Sequence, residues 1–526
     1  MNPLSSIQFI AKSTKAEKTK PTIVTSPESI KSGFNAYLQD ESRLVGEPTD
    51  ALSQPKDSFE LEEILKNSRN SDIFVSGART GVTGGAVPCP LHNGRKSTLI
   101  SLEKLNQIES PVIESPDTAF IWIGSGVSLI QLEEYLLENL PRYYFPVDPT
   151  ERWASFGGMA ATNASGARSF RFGSVRNWIS AIECFSVDGE RFILERDKHK
   201  LDGLAFEINN KQFTFSKIPK PKTKNSIGYH YHPDMSLVDL MIGSEGTLSI
   251  FSKLKIQLLK RPFQILSLLQ FFDNNDQALA FVRSVREKNN SKTLSLEFMD
   301  KRSIEFGLSG KVRFGNQIEN ILKSKNGAAV YTEFSYDENS DSELSDIINC
   351  IETCLSRVSA SLEDGICGTT DSEIQQMKQF RHAIPESINS VVAERKKQIP
   401  LLRKVATDMA VPDEHLEDVF KTYNNHLQKA GLDYAIFGHA GDNHFHVNIL
   451  PSSELELNKA LEVYKVIAKE ISDRLNGSVA AEHGIGRIKK EFLRVQYPES
   501  VIQNMKNIKS AFDPDFRLNP GVLIDR

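Results

Sequence analysis

Three histidines fall within eight residues of Gly438-His439-Ala440-Gly441-Asp442-Asn443-His444-Phe445-His446-Val447-Asn448-Ile449-Leu450. If Phe445 to Leu450 is a strand, its period of two sets His444, His446 and Asn448 on one face and Phe445, Val447 and Ile449 on the other. The first face is equipped for chemistry and the second for a core. His439, across the Ala-Gly-Asp turn, can converge with His446 on a divalent metal, because neutral imidazoles suit zinc and similar first-row ions. A lone histidine is more often a satisfied core or surface residue, but the alternating polarity here argues against that reading. Downstream, Ser478-Val479-Ala480-Ala481-Glu482-His483-Gly484-Ile485-Gly486-Arg487 offers Glu482 as a hard third ligand and His483 as a base that titrates near neutral pH. Taken alone, that second segment reads better as the capped start of a helix.

Such a face needs elements to hold it. From Ser58 to Leu105 the order is helix, strand, loop, strand: Leu61, Ile64 and Leu65 recur at helical spacing, a short strand covers 73–75, and a glycine-rich stretch follows. The alternation continues through a strand at 121–124, a helix over 129–137 and strands near 182–187 and 191–194, while the lysine- and proline-bearing stretch 197–224 reads as a long excursion. A second unit starts near Arg261 and Pro262, with a strand over 265–272, a helix over 275–287 and further strands near 294–299 and 328–334. The expected division is an N-terminal tail or helix at 1–50, a cofactor domain at 51–260, an α+β substrate or cap domain at 261–450, and a helical segment at 451–526 that completes the active site.

Composition limits the partners. A chain of 526 residues with 39% hydrophobic and 25% charged side chains can bury several cores, at about one domain per 150 residues. A formal net charge of -5 without a basic, aromatic-laced stripe argues against nucleic acid. Cys89, Cys184, Cys350, Cys354 and Cys367 are few and irregularly spaced, which fits a reducing compartment and excludes a disulfide framework. Cys350 and Cys354 fall in a helical run with Leu344, Ile347, Ile348, Ile351, Leu355 and Val358 and read as core, and no repeated Cys-x-x-Cys run offers an iron–sulfur site. No apolar run approaches the roughly 20 residues of a membrane span. Lys12, Lys15, Lys18 and Lys20, with Glu17, give the look of a frayed polar tail; a role in organelle targeting stays open. The expected location is the cytoplasm, with a peripheral station at the inner membrane also open.

Three small-residue clusters point to a cofactor. Ser76-Gly77-Ala78-Arg79-Thr80-Gly81-Val82-Thr83-Gly84-Gly85 follows a strand, and its four glycines in nine residues can expose backbone N–H groups to an anion such as a pyrophosphate. Its spacing is not that of a Rossmann fingerprint. Phe145-Pro146-Val147-Asp148-Pro149-Thr150 with Ser155 to Arg168, containing Gly157, Gly158, Thr162, Asn163 and Gly166, and then Gly243-Ser244-Glu245-Gly246-Thr247-Leu248, bring backbone within reach of a large flat ligand. In order, the three resemble the FAD-binding domain of the vanillyl-alcohol oxidase and p-cresol methylhydroxylase (PCMH) superfamily, over about 58–259. The resemblance implies a two-part PCMH-type FAD-binding domain in which the first loop holds the pyrophosphate and the other two line the adenine-ribityl and isoalloxazine regions. Arg79 replaces a glycine common in relatives and either adds charge to the pyrophosphate or turns outward. Thr80 stands where a histidine-linked flavin has its histidine, so FAD is expected to be non-covalent.

The histidine segment, the Glu482-His483 segment, Phe512-Asp513-Pro514 and Leu518-Asn519-Pro520-Gly521 resemble the D-2-hydroxyacid dehydrogenase branch of that superfamily. That branch includes D-lactate dehydrogenases, glycolate oxidase flavin subunits and D-2-hydroxyglutarate dehydrogenases. The resemblance implies His439, His446 and Glu482 as ligands of a divalent metal, zinc above others, His483 as the base, Asn448 as a substrate contact and Asn519 as a flavin-side contact. Asn443-His444 replaces the Gly-Asn of many relatives, so His444 either competes as a ligand or reshapes the pocket. Arg381 and Lys404 sit where relatives carry a cation for the substrate carboxylate, Arg381 being favoured; the alternative for both is a solvated helix charge. The expected reaction is oxidation of a D-2-hydroxy acid to its 2-oxo acid, with electrons passed to a separate electron-transfer flavoprotein, quinone or cytochrome. A homodimer stays open. The rivals are a transferase like alkyl-dihydroxyacetonephosphate synthase, whose histidine motif differs, and a non-catalytic flavin subunit.

Overall fold

The strands marked by alternation pair into four sheets in the computed structural model, which describes residues 5–10, 22–90, 94–261, 264–288, 292–309, 316–337, 339–340 and 342–526. Pro262 and the tail residues Lys12, Lys15, Glu17, Lys18 and Lys20 lie outside these. The first cofactor-side sheet runs Thr22–Val24, Ala51–Gln54, Lys96–Ser101, Ser71–Ser76, its last three strands parallel. The helix Ser58–Asn67 makes the crossover. Asp57 caps it by accepting from the amides of Phe59 and Glu60, and its apolar stripe of Leu61, Ile64 and Leu65 packs on Ile73 and Ile100. A second, antiparallel sheet is built around the long strand Ile250–Lys260, with Ile179–Phe185 on one side and Thr118–Gly124 on the other.

The start of the chain departs from the frayed tail its composition suggests. Ser5–Ile7 pairs in parallel with Ala205–Ile208, inside the 197–224 excursion, and Ala205–Ile208 forms a hairpin with Lys211–Thr214. Ile7 is buried and Phe9 meets Phe192 with ring centroids 5.8 Å apart. A strand of three residues ahead of four lysines is too short to give a periodic signal, so only the tertiary partner makes it visible.

The remaining sheet carries the histidines. Its antiparallel order is Gly365–Gly368, Gln264–Phe272, Ala328–Tyr336, Thr293–Asp300, Tyr434–His439, His444–Ile449 and Val405–Ala406, with Met409–Ala410 also on His444–Ile449. Alternate residues serve opposite faces: Leu268 joins the core with Phe281 and Ile347, whereas Leu269 joins Ile304, Met377 and Phe380. The 28-residue helix Asp371–Gln398, started by a Thr370–Glu373 capping box, thus lies across one face and brings Arg381 to the sheet. Among the described residues, no helix is long and apolar enough to cross a membrane.

The chain ends by returning to its beginning. After the helices Glu454–Asp473, Lys490–Gln496 and Glu499–Phe512, the amide of Ile73 donates to the Arg517 carbonyl and that of Asn519 to the Ile73 carbonyl, both at 2.7 Å. Lys509 secures this return. Its buried ammonium donates to the carbonyls of Thr247 and Leu518, both at 2.9 Å, and to Asp513 at 3.0 Å, while Asp513 also accepts from the amides of Arg517 and Leu518. Removing one member of such a buried pair strands the other. Lys509→Ala is therefore expected to cost about 3–5 kcal/mol, seen as an earlier urea midpoint.

Candidate active site

The glycine loop leaves the end of the parallel strand Ser71–Ser76. Among the described residues, the amides of Arg79, Thr80, Gly81 and Val82 donate no hydrogen bond; that of Ala78 reaches Ser155 Oγ at 3.3 Å. A Cβ on Gly77 would stand 2.4 Å from that same hydroxyl, so the first and second clusters touch through Ser155, which also caps the helix Phe156–Thr162. Gly157 presses on Ser125, and a Cβ on Gly166 would lie 2.1 Å from the carbonyl oxygen of Asp148. Gly166→Ala must push the segment from Asp148 through Pro149 to Thr150 away, and we expect a lower ratio of flavin to protein absorbance in the purified variant.

The predicted lining residues divide by what their side chains touch. Arg79 turns away from the loop. Its guanidinium pairs with Glu103 at 2.8 Å, donates to the Gly77 carbonyl and lies 4.3 Å from the centre of the Tyr37 ring. Asn519 takes the Val75 amide at 2.8 Å and donates to the carbonyls of Glu245 and Gly246 at 3.2 and 3.1 Å, so its amide group ties the first and third clusters together. Glu245 accepts from Ile485 and Gly486 at 2.8 and 2.6 Å, and burial raises its carboxyl to about 7. Asp148 accepts from the Arg168 amide, Gly158 donates to Ser155, Thr162 donates back to Gly158, and Asn163 is the left-handed C-cap of the helix. Thr80, Gly81, Gly84 and Gly85 stay with the loop, and a Cβ on Gly81 or Gly85 would meet nothing within 4 Å. Free amides and side-chain-free backbone suit a pyrophosphate. No histidine stands at Thr80 to link a flavin.

The histidines form one face of a hairpin. His439 and His444 are directly opposed across the strands Tyr434–His439 and His444–Ile449, and His446 lies two residues on. Residues so related share a face. Ring centroids are 5.4 Å apart for His439 and His444, 4.4 Å for His444 and His446, and 5.4 Å for His439 and His446. The turn rests on Asn443 at φ 52°, whose side chain is held by Arg286, the Val411 carbonyl and Asp413. The opposite face is core: Phe445 meets Phe298 and Phe420 edge-on.

Glu482 reaches this face from an irregular loop. Its Oε2 lies 3.4 Å from His439 Nε2, 3.7 Å from His444 Nδ1 and 3.6 Å from His446 Nε2. Its Oε1 accepts from Ser165 at 2.6 Å and from Lys224 at 2.8 Å. Burial opposes ionisation, but Lys224 and His439 hold the carboxyl well below its usual range. Burial also disfavours a charged His439, yet Glu297 and Glu482 lift it to about 9; burial and the neighbouring cations push His446 well down. One donor atom from each of His439, His444, His446 and Glu482 lies within 4.8 Å of the others, a set of three imidazoles and a carboxylate that suits a divalent first-row cation.

His483 stands beside the cluster, its ring stacked on that of His446 with centroids 5.7 Å apart. Its side chain is 37% exposed whereas that of His444 is sealed, so His483 is the ring an incoming molecule meets. The loop behind it packs on the cofactor loop: the Arg487 amide donates to the Thr83 carbonyl at 2.9 Å, and a Cβ on Gly486 would lie 2.2 Å from that oxygen. Arg381 donates to Glu297 at 3.0 and 3.1 Å with its guanidinium 4.7 Å above Phe437, and the other oxygen of Glu297 meets His439 Nδ1 at 2.5 Å. Asn448 is buried on the histidine face. Lys404 is not drawn into the cluster. It is half-buried, has no hydrogen bond or ion pair among the described residues, and is lowered by burial with Arg43 nearby.

Three residues of the site, Asp408, Lys224 and Glu297, escape the motifs, and a fourth, Ser165, lies in the second cluster without a role assigned to it. Asp408 gathers the amides of Glu482 and His483, both at 3.0 Å, and the Lys489 ammonium at 2.9 Å. Lys224 and Ser165 orient Glu482, and Glu297 backs His439. The available signal for Glu297 was an acid in the otherwise apolar run Leu294-Ser295-Leu296-Glu297-Phe298, since a buried charge demands a partner.

Comparison with known proteins matches two domain families in succession. Residues 49–195 match the FAD binding domain, and residues 261–523, half of the chain, match the C-terminal domain of FAD linked oxidases. The chain is 28% identical over 501 residues to a D-lactate dehydrogenase of Archaeoglobus fulgidus, covering 93% of this chain and 96% of that protein. It is 27% identical over 484 residues to a D-2-hydroxyglutarate dehydrogenase of Xanthomonas citri pv. viticola, covering 90% and 89%. In fold it resembles a solved alkyldihydroxyacetonephosphate synthase, with a TM-score of 0.59 at 14% identity over 90% of this chain and 77% of the other. With a matched FAD-binding domain followed by a matched C-terminal domain, the chain belongs to the FAD-linked oxidase family.

Proposed function

We propose that this protein oxidises a D-2-hydroxy acid, of the D-lactate, D-2-hydroxyglutarate or glycolate class, to the 2-oxo acid. The observation that carries this reading is the placement of His483, with one side against the His439–His446–Glu482 cluster and its loop against the cofactor loop. When bound, FAD supplies a two-electron acceptor and a divalent cation, zinc or a close relative, supplies a Lewis acid for the hydroxyl. The chain itself does the positioning. His483 takes the hydroxyl proton, Arg381 neutralises the substrate carboxylate, and Asn448 contacts the acid from the histidine face.

Electrons then leave to a separate carrier, a flavoprotein, quinone or cytochrome, since the sequence offers no cluster-binding cysteine run. Anaerobic mixing with D-lactate, D-2-hydroxyglutarate or glycolate is expected to bleach the flavin, and the L-acids to leave it yellow. Absence of bleaching by every D-acid in protein that holds both FAD and metal would remove the dehydrogenase reading and favour a redox-neutral transferase.

A further inference from the structure

The resemblance implies three ligands, His439, His446 and Glu482, and the hairpin sets a fourth donor, His444, beside them. We infer that His444 is a metal ligand through Nδ1, so that the cation is held by three imidazoles and one carboxylate. This rests on the proposed metal site and sharpens it.

The first argument is distance. His444 Nδ1 is 3.7 Å from Glu482 Oε2, against 3.6 Å for His446 Nε2 and 3.4 Å for His439 Nε2. Metal–nitrogen and metal–oxygen bonds of about 2.0–2.2 Å at tetrahedral angles put neighbouring donors about 3.4 Å apart. The Glu482 oxygen is thus ringed by three nitrogens at nearly the spacing a small cation imposes. Its second oxygen, held by Ser165 and Lys224, is turned to other partners, which leaves the carboxylate a one-oxygen donor.

The second argument is an unmet valence. His444 is fully buried, and its Nδ1, the ring nitrogen turned to the cluster, makes no hydrogen bond. Buried imidazole nitrogens are ordinarily paired, and a core-packing role leaves Nδ1 without a purpose. Nε2 faces Asp408 Oδ1 at 3.1 Å, so a buried carboxylate stands behind the nitrogen that points away from the cluster. His439 has the same arrangement, with Glu297 behind Nδ1 and Nε2 facing Glu482. Carboxylates in that outer position fix the tautomer and raise the donor strength of a metal-bound imidazole. The third argument is topology, because His439 and His444 close the hairpin as a directly opposed pair.

Four protein donors would complete a tetrahedral set, and a substrate hydroxyl would then add as a fifth donor. X-ray absorption on the full-length, zinc-loaded flavoprotein is expected to count three imidazoles. Two imidazoles would overturn the inference while leaving the three-ligand site standing; failure to take up zinc at all would overturn both. His444→Asn should weaken zinc binding, measured by chelator competition, by more than about 100-fold, since loss of an outer partner alone costs about 10–100-fold. In the cobalt(II) form its visible absorption should change in shape and intensity. An unchanged affinity and cobalt spectrum would count against His444 as a ligand, and the absorption measurement on the unaltered protein decides the matter if the variant does not fold.

Discussion

His483→Asn should leave a yellow, metal-loaded protein that is reduced by a D-2-hydroxy acid about 10²- to 10⁴-fold more slowly, the usual worth of a general base. The separation of effects follows from how the residue is held. Its backbone amide donates to Asp408 at 3.0 Å, a bond the substitution does not touch, so the loop and Glu482 beside it keep their places. The ring itself is the partly exposed member of the histidine group. Stopped-flow bleaching under anaerobic conditions is the direct readout, with the loss falling on the limiting rate rather than on the acid concentration needed to reach half of it. A variant that bleaches at nearly the original rate would move the proton acceptor elsewhere.

Glu482→Gln should be harsher, because the amide keeps the volume but withdraws the one anion that faces all three imidazoles. Loss of a Lewis acid worth several kcal/mol in the transition state corresponds to roughly a thousandfold or more in rate. The cation should be lost on dialysis, and Lys224, buried between Glu482 and Asp442, loses its principal partner. Metal analysis and turnover on one preparation check both consequences. Full turnover in a metal-free variant would make the cluster a structural knot.

Much of this site was legible because it is local. A period of two through His444, His446 and Asn448, and glycines that leave amides bare at 79–82, are properties of short stretches, and both assemble as read. What escaped depends on pairing across the chain. Glu297 is 142 residues from His439 and Asp408 is 75 from His483, and neither carries a mark of its partner. Arg79 shows a choice the sequence leaves open: in a loop built for an anion its cation can serve the ligand or turn outward, and Glu103 and Tyr37 engage the guanidinium here. Glu245 and Asn519 belong to clusters expected to line the flavin, yet their polar groups are taken up by backbone of the neighbouring clusters.

The bond from the Val75 amide to Asn519 spans 444 residues. During synthesis the root of the glycine loop emerges 444 residues ahead of the side chain that pins it. Until then the loop hangs from a sheet lacking its final neighbour, and closing so long a contact is slow. The root of the glycine loop is therefore pinned only once Asn519 has been made and has docked beside Val75.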